Sequence, residues 1–427
     1  MKPNSEPAMQ VEPRISAVPA ETAPRVLVWL GVIVLVYTLL VGVSVIGEGF
    51  KWLTGGAEGA ATIFSFASNP FIGVILGTLA TALVQSSSTV TSVIVGMVAG
   101  GLPVSIAVPM IMGANMGTTI TNTIVSLGDF SERDTFKKAF QAATVHDFFN
   151  LYSIAVFLPL EIMFHPLERI GGVVAQWFAG DTDASLQNAN FVSAATKPVA
   201  HFFVDLFEVL PSPTLGAVLV ITAGIGLIIS SVLYLGKLLK AVMVGKAKHV
   251  FEAALGSNRE TGVLSGTLVT MLVQSSSTST SLIVPLAGAG VLTTRQVFPF
   301  TMGANIGTCI TALLAATAIT GSNEALALQI ALVHLLYNVF GVLLFLYIPF
   351  LFELPIKSAL WLGDRTEANR SWAFGYILGV FFLIPGTVFG TQYTLSNRTT
   401  GIVDLENRGE NLESLRREFE ENQVIID

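Results

Sequence analysis

Two runs of four consecutive polar residues, Gln85-Ser86-Ser87-Ser88 and Gln274-Ser275-Ser276-Ser277, stand inside strongly apolar sequence, and a threonine follows each. Hydroxyls donate and accept, and glutamine adds an amide oxygen and two N–H donors. Such a run can surround an oxyanion or offer neutral oxygens to Na+, a hard ion. At a break between helices, the second helix would add free backbone N–H groups and the positive end of its dipole, which together bind an anion without a fixed cation. The bland alternative is small-residue packing or interhelical glue. The duplication argues against it. Residues 77–92 read GTLATALVQSSSTVTS and residues 266–281 read GTLVTMLVQSSSTSTS, identical at 13 of 16 positions.

Two further echoes follow in the same order. MGANMGTTIT starts at Met112 and MGANIGTCIT at Met302. Their glycines, Gly113, Gly117, Gly303 and Gly307, permit a turn or a close backbone approach. Asn115, Thr118 and Thr121, with Asn305, Thr308 and Thr311, offer more neutral oxygens. The third echo places Gln141, His146 and Asn150 against Gln329, His334 and Asn338. Asp147 is the only carboxylate in residues 139–160, and its counterpart is Leu335. An acid at membrane depth is a functional candidate, here as a cation ligand. His146 and His334 read as hydrogen-bonding groups within the bundle. Asn150 and Asn338 are balanced between polar glue and ligation. Arg295 reads as a connector residue at the membrane surface, with attraction of an anion as the second reading.

The elements that must hold these groups are membrane helices. Hydrophobic residues make up 52% of the 427 residues and charged residues 12%, with a mean hydropathy of +0.69; a soluble domain carries about 25% charged residues. Residues 59–128 contain no charged side chain, enough length for about three spans. Pro70, QSSST, Gly100-Gly101, Pro103, Pro109 and GANMGTT interrupt that stretch, and such interruptions are tolerated only where backbone is buried in protein or lines a wet cavity. The expected fold is therefore an all-α polytopic membrane protein of two inverted-topology repeats with re-entrant hairpins and broken helices. Duplicated, interrupted apolar segments point to a transport site between repeats.

The expected division is a flexible tail (1–24), a first transmembrane repeat (25–160), a central extracellular loop with an interfacial helix (161–213), a second repeat (214–353), a cytoplasmic connector with a last transmembrane helix (354–390), and a polar tail (391–427) with an amphipathic stretch around Leu412, Leu415 and Phe419. Basic clusters at Arg14/Arg25, Arg133/Lys137/Lys138, residues 237–248 and Lys357/Arg365/Arg370 put the N-terminus inside and the central loop outside. The net charge of −7 resides in loops and tails, and Cys309 is the one cysteine. The sequence shows no His/Cys cluster of metal-ligand spacing, no P-loop and no basic footprint for nucleic acid. An enzyme reading finds no general base near either serine run.

With QSSST at residues 85–89 and 274–278, GANMGTTITNTIV, TVHDFFN and GANIGTCIT, the chain resembles the type II sodium-dependent phosphate cotransporter family from about residue 26 to 390. The resemblance implies a secondary transporter of the plasma (inner) membrane that moves inorganic phosphate inward with Na+ as coupling ion and uses no cofactor. Both QSSS runs would line the phosphate site: Gln85, Ser86, Ser87 and Ser88 with Gln274, Ser275, Ser276 and Ser277. Asn115 and Asn305 are assigned beside them. Gln274, Ser275, Thr308 and Thr311 map to a family sodium site, to which Asp147 and Asn150 are added. The acid of VHD, Asp147, marks members that carry an extra Na+ and move net charge. The central loop is shorter than in vertebrate members and lacks cysteine, and Gln141 stands where electrogenic relatives have a small residue. The residues alone leave open a carrier of another small oxyanion, such as sulfate or a carboxylate, and an anion channel.

Overall fold

The structure is a computed structural model that describes residues 25–179, 190–254, 258–319, 323–388 and 390–391. The expected N-terminal tail and the amphipathic stretch near Leu412 lie outside them. The elements in chain order are α1 (Arg25–Thr54), α2 (Ala57–Ile63), α3 (Pro70–Val84), α4 (Ser87–Ala99), α5 (Val104–Thr118), α6 (Ile120–Ser126), α7 (Arg133–Phe164), α8 (Pro166–Ala179), α9 (Asn190–Glu208), α10 (Pro213–Ala254), α11 (Arg259–Val273), α12 (Ser276–Ser281), α13 (Ile283–Gly288), α14 (Thr294–Ala316), α15 (Glu324–Tyr347), α16 (Pro349–Ala368) and α17 (Ser371–Leu378). The last continues through a π-helical turn at Gly379–Leu383. No strand occurs among the described residues.

Seven of these helical stretches are long and apolar enough to cross a bilayer, which makes the chain an all-α polytopic membrane protein. Their outer faces carry exposed apolar side chains, among them Leu27, Trp29, Leu30 and Ile33 on α1 and Leu383 and Ile384 near the end. With no competing water, such faces belong against lipid. α3 is different. Its 15 residues rise about 22 Å at 1.5 Å per residue, short of the roughly 30 Å hydrocarbon core. It turns back at once into α4, a hairpin rather than a span. α11 and α12 make the matching pair in the second half.

Local signals explain where these hairpins start. Asn69 caps α3, its side chain accepting from Phe71 N at 3.0 Å, and Pro70 sits at the first helical position, where its missing N–H costs nothing. Asn258 caps α11 in the same way, accepting from Thr261 N at 2.9 Å. Thr293 and Gln296 form a capping box at the start of α14.

Of the two uses the sequence allows the glycine motif, a turn or a close approach, the structure shows the second. GANMG lies within α5, and the interruption falls only afterwards, at Thr119 between α5 and α6. Pro109 and Pro299 lie inside α5 and α14 without ending them. The glycines serve close approach instead of a turn. A Cβ on Gly77 would strike the Met110 carbonyl oxygen, and one on Gly113 the Val74 carbonyl oxygen. In the second half Gly266 abuts Phe300 O and Gly303 abuts Val263 O in the same manner. Backbones this close bring a hydroxyl clamp into range. Thr78 Oγ1 lies 2.8 Å from Val74 O and 3.2 Å from Gly113 O; Thr267 Oγ1 lies 2.9 Å from Val263 O and 3.1 Å from Gly303 O. Each hairpin is thus locked to the helix that follows it by small residues and an inter-helix hydroxyl, a device suited to lipid-embedded helices.

Two further packings frame the hairpins. α1 lies along α10 and α16 along α7. The described residues of the central segment are largely helical: α8 packs on α15, with Leu167 and Ala175 buried.

Candidate anion and cation site

Both QSSS runs sit at helix breaks of the same geometry. Gln85 ends α3 in the left-handed region (φ 56°, ψ 30°), and Gln274 ends α11 there too (φ 54°, ψ 27°). A left-handed glutamine carries a steric penalty of about 1 kcal/mol or more, and only one other non-glycine residue, His165, has a positive φ among the described residues. The next residue is extended in each case, Ser86 at φ −150° and Ser275 at φ −154°. Each serine then caps the following helix: Ser86 Oγ accepts from Thr89 N at 3.3 Å, and Ser275 Oγ accepts from Thr278 N at 3.2 Å. The first amides of α4 and α12 have no acceptor within their own helices. Each break therefore presents hydroxyls, free amides and a positive helix end at one place.

The two breaks meet. All eight residues of the QSSS runs line a single cavity of about 220 Å³, joined by Thr278 and by Val232, Leu233, Gly236 and Lys237 of α10. Ser87, Ser88 and Ser276 are buried at 4% exposure each. A neutral lining of hydroxyls, amides and helix starts can surround a tetrahedral oxyanion by hydrogen bonds alone.

Asn115 and Asn305 are not among the residues lining that cavity. They belong to a buried chain of side chains that crosses between the halves. Asn115 O accepts from Asn150 Nδ2 at 2.8 Å, and Asn150 Oδ1 accepts from Asn305 Nδ2 at 2.8 Å. Asn305 Oδ1 lies 2.7 Å from His146 Nε2; with the Asn305 amide nitrogen donating to Asn150, the network is satisfied by the tautomer that carries its proton on Nε2. His146 Nδ1 is left to accept from Asn122 Nδ2 at 3.4 Å, and Asn122 Oδ1 lies 2.7 Å from Thr280 Oγ1 on α12. His146 therefore acts as an interhelical hydrogen-bonding group. His334, its counterpart, is fully buried, and neither ring nitrogen meets a partner.

Two places suit a cation. Gln274 Oε1 accepts from Thr311 Oγ1 at 3.0 Å at the edge of the serine cavity. Of the residues mapped with them, Ser275 Oγ accepts from Thr278 N at 3.2 Å as the cap of α12, and Thr308 Oγ1 donates to Ala304 O at 2.9 Å. The second place is Asp147, which is fully buried and does not line the cavity. Its Oδ2 accepts from Thr123 Oγ1 at 3.0 Å and from Tyr376 Oη at 2.9 Å, whereas Oδ1 meets no donor. A buried carboxylate with an idle oxygen calls for a cation or a proton.

Asn122, Thr123, Thr280, Tyr376 and Lys237 escape the sequence reading. The first two have no polar counterpart in the repeat, where Ala312 and Leu313 stand at their positions. Tyr376 lies in the span that has no counterpart. Lys237 reads there only as part of a basic cluster. Arg295 is a connector: its guanidinium meets Glu353 at 2.6 Å. Gln141 donates to Leu360 O at 3.3 Å on α16 and does not line the serine cavity. One group with metal-ligating reach does occur, Glu161, His165 and Glu168, whose ligand atoms lie within 4.8 Å of one another. Glu161 is engaged otherwise, accepting from the amides of Leu167 and Glu168 at 2.8 and 2.9 Å to cap α8.

Comparison with known proteins adds an independent line. Residues 38–175 and 227–351 match the family model described as Na+/Pi-cotransporter. Sodium-dependent phosphate transport protein 2A of Rattus norvegicus is 34% identical, over 90% of this chain and 71% of the rat protein. Sodium-dependent phosphate transport protein 2B of Homo sapiens is 32% identical, over 83% of this chain and 64% of the human protein. The Mus musculus 2A protein is 33% identical over 90% of this chain. The chain thus spans 71% and 64% of the length of the first two relatives. No solved structure matches.

Proposed function

This chain belongs to the Na+/Pi-cotransporter family, and we propose that it is a sodium-coupled secondary transporter that carries inorganic phosphate across the plasma membrane into the cell. The convergence of both QSSS runs on one cavity carries this reading. In it, the amides and hydroxyls at the two helix breaks hold phosphate, and Na+ at Gln274/Thr311 and at Asp147 offsets the anion's charge. Phosphate then binds tightly only when Na+ is present. The coupling is reciprocal by linkage: Na+ raises phosphate affinity by the same factor as phosphate raises Na+ affinity. The two hairpin-plus-helix units form an inverted pair, and their relative movement exposes the loaded cavity to the other side. With Asp147 as an additional cation ligand, each cycle moves net positive charge inward.

Transport, rather than catalysis, is the activity of this site. The test is uptake of radiolabelled phosphate into proteoliposomes under an inward Na+ gradient, repeated with K+ or choline in place of Na+. Accumulation that needs Na+ and is competed by unlabelled phosphate supports the reading. Accumulation driven equally by K+, or competed better by sulfate or a carboxylate, contradicts it.

A further inference from the structure

The cavity shared by the two serine runs is lined by neutral groups except at one place. Lys237 of α10 lines it beside Gly236, and no carboxylate does so among the described residues. α10 belongs to neither hairpin; it packs along α1 and against α11. The Lys237 ammonium stands 5.1 Å from the ring centroid of Tyr234, nearly one turn back on the same helix, a cation–π distance that holds the stem along the helix surface. A lysine near the end of an apolar span ordinarily snorkels into the headgroups and does no more. Here the helix face that carries it, with Val232, Leu233 and Gly236, is also a wall of the polar cavity.

Hydroxyls, amides and helix ends raise the potential of the cavity without adding net charge. One ammonium on its wall adds a full unit charge; Lys237 is exposed, so water and salt screen that charge in part, which makes its effect depend on ionic strength. We infer that Lys237 is the anion-attracting residue of this site: it draws the doubly charged phosphate to the cavity and weights selection towards the more highly charged oxyanion. This inference rests on the cavity being the phosphate site.

Equilibrium binding of radiolabelled phosphate to the purified full-length protein in detergent tests it, at fixed NaCl with choline chloride added to raise ionic strength. The parent, Lys237→Met and Lys237→Arg are compared. Methionine keeps an unbranched stem against Tyr234 and removes only the charge. The expected result is a Kd raised about fivefold or more in Lys237→Met at low ionic strength, with a flattened salt dependence and an unchanged requirement for Na+. Lys237→Arg binds within about twofold of the parent, because the charge is kept. Thermal unfolding without phosphate checks folding, and Lys237→Gln replaces Lys237→Met if the latter melts early. A Lys237→Met protein with the parent's Kd and salt dependence overturns the inference, and so does a Lys237→Arg protein as weak as Lys237→Met. A parent that binds no phosphate in NaCl overturns the transport reading itself, a separate result.

Discussion

Asp147 holds Thr123 and Tyr376 with one carboxylate oxygen and leaves the other without a donor. That asymmetry suits the role proposed above for the residue, ligand to a Na+ whose charge crosses with the substrate. Asp147→Asn keeps the size and removes the charge. In proteoliposomes, phosphate uptake by this variant should lose its dependence on an imposed inside-negative potential, by about the whole effect seen in the parent; uptake with the parent's voltage dependence would remove Asp147 from the charge-carrying step. Gln274 and Thr311 make a second residue-level test, because they touch. Gln274→Ala and Thr311→Ala should each weaken apparent Na+ affinity several-fold, and the double variant should fall well short of the product of the two, as contacting residues do. Fully multiplicative effects in Na+ titrations of uptake would separate them. The residues legible in the sequence were those that break a pattern by themselves, either a lone acid in an apolar helix or a polar run repeated in register. Thr123 and Tyr376 break no pattern: a threonine among threonines and an aromatic in an apolar span gain meaning only when folding brings them to Asp147.

At the scale of elements, each hairpin is fixed to its following helix by a pair of glycines and a threonine clamp. Gly77→Ala or Gly113→Ala would place a methyl group against a carbonyl oxygen of the facing helix, and overpacking of this kind costs about 1–3 kcal/mol or more. The same holds for Gly266→Ala and Gly303→Ala. Melting of detergent-solubilised protein should show all four well below the parent, whereas Gly226→Ala, with open space around it, should match the parent or exceed it slightly through higher helix propensity. A normal melt for Gly77→Ala would mean that α3 and α5 are not in contact. The sequence singles out Gly113 and Gly303 but not their facing partners Gly77 and Gly266, and it does not say which of two uses the glycines serve. A turn and a close approach ask for the same residue type, and the choice is made by the partner helix, which lies some 35 residues away in the chain. The helix breaks were legible for the converse reason: four small polar residues after an apolar helix have a local capping chemistry that needs no distant partner.

At the scale of the molecule, two halves built on one pattern are joined by a side-chain chain from Thr280 through Asn122, His146, Asn305 and Asn150 to the backbone of Asn115. Any movement of one half against the other must stretch or exchange some of these bonds. The pattern is not perfectly repeated. α14 runs unbroken where α5 and α6 are separated, and α4 runs unbroken where α12 and α13 are separated. Asn122 faces an alanine, Ala312, in the repeat register, so the bond to Thr280 has no twin. The acid and Thr123 lie in the first half and have no polar twins in the second, and the acid's other partner, Tyr376, comes from the last span.

The central claim is that one anion is held jointly by both serine runs, and matched substitutions test it most directly. Ser87→Ala and Ser276→Ala occupy equivalent places at the starts of α4 and α12, and sodium-dependent phosphate uptake can be titrated in the parent, each single variant and the double variant. A jointly built site predicts that both single changes raise the phosphate KM several-fold, with the Na+ requirement intact, and that the double change departs from their product. A parental phosphate KM in either single variant would contradict it, because one of the two breaks would then have no part in holding the anion.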